Sequence, residues 1–196
     1  KRFATGASTD GGWTVSVWST RTGRRIRRFK EKSKRMIPSL AFSPDGKLLA
    51  AGGYMEHVRL WEVGSGRLRW EHPARAILEE VSFSPDGRML VAVGGDAFIW
   101  PDIAEDEDPQ VLDEGNVSFE RVAFLPGKGL VALSEDRQVR IWDPEREAFV
   151  GNVGRERPSS KGLSALAVSS DEDTILTVYK NELACWSLPS LGSSDE

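Results

Sequence analysis

Short runs of alternating polar and apolar residues recur along the chain, each ending in tryptophan: TVSVW, HVRLW, DAFIW, QVRIW and ELACW. The residues one and three before each Trp are mostly apolar: Val15 and Val17, Val58 and Leu60, Ala97 and Ile99, Val139 and Ile141, Leu183 and Cys185. The residue two before it is unconstrained in type. A period of two places the constrained pair on one face of a β-strand and predicts that this face is buried. Trp18, Trp61, Trp100, Trp142 and Trp186 stand 43, 39, 42 and 44 residues apart, so the strand belongs to an internal repeat.

A second motif runs in phase with the first. Leu40-Ala41-Phe42-Ser43-Pro44-Asp45-Gly46 returns as Val81-Ser82-Phe83-Ser84-Pro85-Asp86-Gly87 and decays in the two later copies that start at Val122 and Leu166. Pro presets φ at the first central turn position, Asp suits the next, and Gly accepts positive φ. Each copy therefore reads as strand, tight turn, strand. The strand after the turn is rich in small residues, as in 49–53, 91–95 and 131–134, which predicts a crowded position between neighbouring sheets. After each Trp comes another turn and a weaker strand (24–29, 67–71, 110–112, 148–153) whose low apolar content suits an exposed outer edge. One repeat is four antiparallel strands in roughly 40 residues.

At these motifs the chain resembles the WD40-repeat family, and the resemblance covers almost its whole length. It implies an all-β fold, a β-propeller of four-stranded antiparallel blades. Trp18, Trp61, Trp100, Trp142 and Trp186 are then structural residues. Only Trp142-Asp143 keeps the family's dipeptide. The resemblance also implies a buried Asp–His–Ser/Thr–Trp network in some blades. Asp136, six before Trp142, matches its aspartate, but no His precedes that blade. His72, eleven before Phe83, stands where the family's histidine lies; a contact with Asp96 and Trp100 and a plain exposed histidine are both open readings, because 91–94 hold no Ser or Thr.

The repeat divides the chain into a partial blade (1–35), three blades (36–72, 73–113, 114–154), a second partial blade (155–188) and a polar tail (189–196). That is about four and two-thirds blades. The resemblance implies a ring of seven, which leaves on the order of 100 residues to be supplied. The leading expectation is the C-terminal part of a larger propeller or multidomain protein. The rival is a small chain whose ring is closed by a neighbouring chain.

Composition narrows the function. Of 196 residues, 39% are hydrophobic and 29% charged, as in a globular protein and unlike a disordered one. The single cysteine, Cys185, excludes an internal disulfide framework and suits a reducing compartment, so a cytoplasmic, intracellular location is expected. No apolar run approaches membrane-spanning length, and the first residues hold no signal-peptide core. His57 and His72 lack metal-ligand spacing, and no Gly-x-Ser-x-Gly or phosphate-binding loop occurs. The expectation is therefore no catalytic residues, no metal and no cofactor. Cys185 aligns with Leu60, Ile99 and Ile141, which predicts a buried structural thiol. Residues 116–118 form a formal glycosylation triplet without secretory features around it.

Charge is clustered although the net value is only -4. Asp102, Glu105, Asp106, Glu107, Asp108, Asp113 and Glu114 read as an enlarged loop between the third and fourth strands of one blade, either simply solvated or binding a metal or partner. Residues 21–35 hold nine Lys/Arg and one Glu on an outer edge strand and the loop after it. Charged edges block edge-to-edge aggregation. The alternative is an anionic partner, such as nucleic acid, an acidic protein segment or a membrane surface, met by Arg24, Arg25, Arg27 and Arg28. Only Phe29 interleaves as an aromatic, which gives base stacking little support.

The function expected from the resemblance is a non-catalytic scaffold or sensor module for protein recognition, with nucleic acid as the alternative and an enzyme-associated propeller behind it. By register, the rim facing a partner carries Lys34, Arg35, Tyr54, His57, Arg75, Asp96, Arg121, Arg137, Arg155 and Lys180. The identity of the partner does not follow from the sequence.

Overall fold

In the computed structural model, residues 1–9, 12–30, 39–54, 57–74, 77–112, 118–125, 127, 129–134, 138–153, 165–171, 173–179 and 182–188 are described. They form only strands, turns and one isolated helical residue. The first sheet holds β1 (Arg2–Thr9), β2 (Gly12–Ser19) and β3 (Arg25–Lys30). The second holds β4 (Ser39–Phe42), β5 (Leu48–Gly52), β6 (His57–Glu62) and β7 (Leu68–Pro73). The third holds β8 (Glu80–Phe83), β9 (Leu90–Gly94), β10 (Asp96–Trp100) and β11 (Gln110–Leu112). The fourth holds β12 (Arg121–Leu125), β13 (Leu130–Ser134), β14 (Val139–Asp143) and β15 (Ala148–Val153). The fifth holds β16 (Ala165–Val168), β17 (Thr174–Tyr179) and β18 (Glu182–Ser187). Every sheet is a meander in chain order with antiparallel neighbours.

The Ser-Pro-Asp-Gly turns explain the tight connections at β4–β5 and β8–β9. Ser43 Oγ donates to Asp45 Oδ1 at 2.7 Å, and the same aspartate oxygen accepts Lys47 N–H at 2.9 Å. Ser84 and Asp86 repeat the arrangement, with Arg88 N–H as donor. Gly46 and Gly87 close these turns at φ of 70° and 76°, a region open to glycine at little cost. Gly94 answers a different demand. A Cβ there would lie 2.0 Å from the Ile77 carbonyl oxygen, so only glycine lets β9 pass the connection from the preceding sheet.

The core lies between sheets, as the alternation requires. Trp61 joins Val15, Val17 and Phe29 of the preceding sheet, with the Phe29 and Trp61 rings 5.1 Å apart. Val58 and Leu60, on the other face of β6, join Phe83, Leu90 and Trp100 of the following sheet. Ala97 and Ile99 meet Val122 and Trp142. Val139 and Ile141 meet Ile175 and Trp186. Each Trp thus faces the blade before it, and the residues one and three before it face the blade after. Leu60, Ile99 and Ile141 are fully buried, each worth about 1.5–3 kcal/mol against exposure.

The two end sheets show what this pairing leaves open. Trp18 is half-buried and stacks on Phe3, which is itself 44% exposed. On β18, Leu183 is 68% exposed and Cys185 is exposed. The expectation of a buried Cys185 is therefore corrected. The residue occupies the register of Leu60, Ile99 and Ile141, but no following sheet covers that face among the described residues.

Candidate interaction surfaces

Antiparallel order brings the second-to-third strand connections and the links between sheets to one end of every blade. Tyr54 sits in the β5–β6 connection, 41% exposed. His57 and Asp96 open β6 and β10, and Arg121 opens β12. His57 Nε2 lies 3.5 Å from Glu71 Oε1, and Arg59 Nε donates to Glu71 Oε2 at 2.5 Å. The bond from Arg59 holds the Glu71 carboxyl below its usual range. Arg121 Nη1 pairs with Glu79 Oε2 at 3.2 Å, across to the third sheet's leading loop. Lys34, Arg35, Arg75, Arg137, Arg155 and Lys180, and the structural Asp136, lie outside the described residues.

The innermost strands carry a stitch that the sequence pattern did not disclose. Ser39 Oγ on β4 accepts Val81 N–H on β8 at 2.9 Å. One blade on, the Glu80 carboxylate accepts Val122 N–H on β12. Both residues open their strands, and both satisfy an amide of the next blade. Burial pushes the Glu80 carboxyl up, outweighing the opposing pull of the Val122 amide and Arg121. The only available signal was a polar residue at the first position of successive inner strands.

The acidic loop joins β10 to β11, as the charge run predicted. Its base is ordered: Asp102 Oδ1 accepts Ala104 N–H at 2.9 Å, Asp102 Oδ2 pairs with Arg88 at 3.2 Å, and Ile103 is buried. These bonds, led by the Ala104 amide, hold the Asp102 carboxyl low. Arg69 reaches across from β7 to the Ala104 carbonyl at 3.1 Å. At the tip, Asp106 Oδ1 lies 3.5 Å from His72 Nε2, and Asp108 Oδ1 lies 3.6 Å from Nδ1. The His72 ring meets Trp100 with centroids 5.6 Å apart and Trp70 at 4.8 Å. Of the two readings left open for His72, its approach to Trp100 is present, but the carboxylates that flank it come from the acidic loop rather than from Asp96. Trp100 Nε1 is buried without an acceptor, as the lack of Ser or Thr in 91–94 implies. Asp113, Glu114 and the triplet's Asn116 and Val117 lie outside the described residues. Among the described residues no cluster of ligating side chains fits a metal ion.

Of the basic run 21–35, residues 25–30 form β3, the outermost strand of the first sheet, and 31–35 lie outside the described residues. Arg24, Arg25 and Arg28 are exposed, and Arg27 is half-buried. Arg27 donates to the Gly64 carbonyl of the next blade's turn. Arg28 Nη2 donates to Thr14 Oγ1 at 3.3 Å. The Arg25 guanidinium lies 5.8 Å from the Trp18 ring centroid. Phe29 is buried, packed inward on Trp61.

Comparison with known proteins agrees with this geometry. Residues 23–62 match the family model described as WD domain, G-beta repeat. That stretch runs from β3 to the end of β6, so the sequence repeat straddles two sheets and ties one blade to the next. No curated protein matches the chain. Among solved structures, the chain is similar to the beta-propeller domain of Myceliophteria thermophila Cps50 (Swd1), with a TM-score of 0.76 at 18% identity. The match covers 98% of this chain and 64% of that one. The chain carries a WD40 repeat, and its fold is that of a β-propeller.

Proposed function

We propose that this chain is part of a larger WD40-type propeller and acts as a non-catalytic scaffold or sensor module for protein recognition in the cytoplasm. One observation carries the reading: four junctions between sheets repeat one pairing of faces, whereas the outer faces of the first and last sheets stay open in the same register. Further blades, or a neighbouring chain, complete the ring by repeating that pairing. The stacked core then holds Tyr54, His57, Asp96 and Arg121 at one rim, and the register adds Lys34, Arg35, Arg75, Arg137, Arg155 and Lys180. WD40 propellers are generally non-catalytic scaffolds, and no cofactor or metal enters this reading. No described helix is long and apolar enough to cross a membrane. A second reading, nucleic acid bound at β3, is favoured by the exposed Arg24, Arg25 and Arg28, which have no acidic partner among the described residues.

The test uses the protein's full natural reading frame. Light scattering reports whether it is one closed monomer or an assembly, and pull-downs compare it with Tyr54→Ala and Arg121→Glu. A partner protein lost from both rim variants supports the scaffold. Retention of every partner by both variants sinks the rim assignment, and turnover of a small molecule sinks the non-catalytic reading.

A further inference from the structure

Three features of β3 bear on a partner: a free edge and a register shift, both shared with other outer strands, and arginines without a carboxylate partner among the described residues. It is the last strand of its sheet, so one edge offers backbone N–H and C=O groups that pair with no strand among the described residues. Arg25 and Arg28 on it, and Arg24 just before it, have no carboxylate partner among the described residues. On β7, by contrast, Glu71 is held by Arg59, Arg69 is spent on the Ala104 carbonyl, and Arg67 just before the strand pairs with Glu62 at 2.8 Å. The third feature is a register shift, one that β7 and β15 repeat next to Trp61 and Trp142. Val17 pairs with Arg27 and Trp18 with Arg25, so Ile26 is the extra residue of a β-bulge.

The bulge decides where the charges point. Three residues apart in a regular strand, Arg25 and Arg28 would lie on opposite faces. Here Arg25 opposes Trp18 and Arg28 opposes Ser16, two residues on the same face of β2. Their guanidinium groups therefore share one face, separated by one two-residue strand repeat of about 7 Å. Each is held in place, Arg25 over the Trp18 ring and Arg28 by Thr14 Oγ1. Ile26, 42% exposed, adds an apolar contact beside them.

We propose that β3 captures an extended acidic segment of a partner protein by strand addition, with carboxylates at positions i and i+2 set against Arg25 and Arg28. The inference rests on the scaffold reading and names the chemistry of one partner. An added strand brings its side chains directly opposite those of β3, within reach of an ion pair. Nucleic acid fits less well, because Phe29 is turned inward and β3 offers no exposed aromatic on which a base can stack.

Three dye-labelled peptides of one composition test this by fluorescence anisotropy. The first alternates Glu with Val and Thr. The second carries the same residues with the Glu grouped together. The third is the first peptide with its edge-facing amides N-methylated. The first is expected to bind about tenfold tighter than either of the others. An Arg25→Glu/Arg28→Glu variant should lose that binding, and a peptide with Lys in place of Glu should bind the variant instead. Both arginines are exposed, and circular dichroism checks that the variant keeps its strands. Equal binding of all three peptides overturns the proposal, as does tighter, Arg25- and Arg28-dependent binding of oligo-deoxythymidine. If the peptides fail while a rim-dependent partner is still captured, strand addition is wrong and the scaffold reading stands.

Discussion

Trp186 Nε1–H donates to Thr177 Oγ1 across β17 and β18 at 2.8 Å, and Trp18 Nε1–H makes the same bond to Thr5 Oγ1 at 2.9 Å. In both sheets the threonine stands two residues beyond the one that pairs with the Trp. In the third sheet Trp100 pairs with Leu90, so the corresponding residue is Ala92, and Trp100 Nε1 has no acceptor. Ala92→Ser should supply that acceptor and raise stability by about 1 kcal/mol, whereas Thr177→Val should cost about 1–2 kcal/mol. Urea midpoints at equal m-value measure both. A destabilised Ala92→Ser would mean that the fully buried site has no room for one oxygen.

Glu80 predicts a pH effect of definite sign. Burial raises its carboxyl above the ordinary 4.5, so the folded state favours the neutral form. The stability tied to that neutral form is present below 4.5 and is lost as pH rises through the higher folded value. Glu80→Gln keeps an acceptor for Val122 N–H without the buried charge. Its stability relative to the parent should therefore improve as pH rises from 4 to 7, read by thermal unfolding. A constant difference across that range would assign the stitch no titrating role.

The turn aspartates act in the opposite sense. The Lys47 amide, followed by the Ser43 hydroxyl, holds the Asp45 carboxyl at about 2 against an ordinary 3.8. Asp86 and Asp171 are lowered too, chiefly by Ser84 and Ser169. The stability that Asp45 supplies is present above 3.8 and is lost as pH falls through about 2. Asp45→Asn should flatten this acid limb while changing stability at neutral pH by less than about 1 kcal/mol. An unchanged acid limb would move the transition to other carboxylates.

Cys185 reports on the open face of the last sheet. In this 196-residue chain its thiol should react with Ellman's reagent in the native state, close to the rate in denaturant. In a ring completed as proposed, a blade on that face should protect it. Reaction of the 196-residue chain only after unfolding would contradict the exposed placement.

How far the sequence reached follows from what it encodes. The period-two apolar pattern before Trp18, Trp61, Trp100, Trp142 and Trp186, with the Ser-Pro-Asp-Gly turns, determined strands, turns and their order. These depend on neighbours in the chain: one side chain per face, one φ per turn residue. The same reasoning located the acidic loop between β10 and β11 and placed the arginines at 25, 27 and 28 on the outer strand β3. It failed where the answer lay in another sheet. Cys185 has the pattern of a buried residue, yet its burial needs a following blade. His72 meets Asp106 and Asp108, more than thirty positions away, because the β7 edge and the β10–β11 loop pack side by side. Arg25 and Arg28 share a face only because Ile26 bulges, an adjustment of strand pairing that residue spacing does not carry. Local periodicity thus set the blades, and tertiary packing decided which faces are covered and which charges stay free, because burial and pairing belong to two surfaces at once.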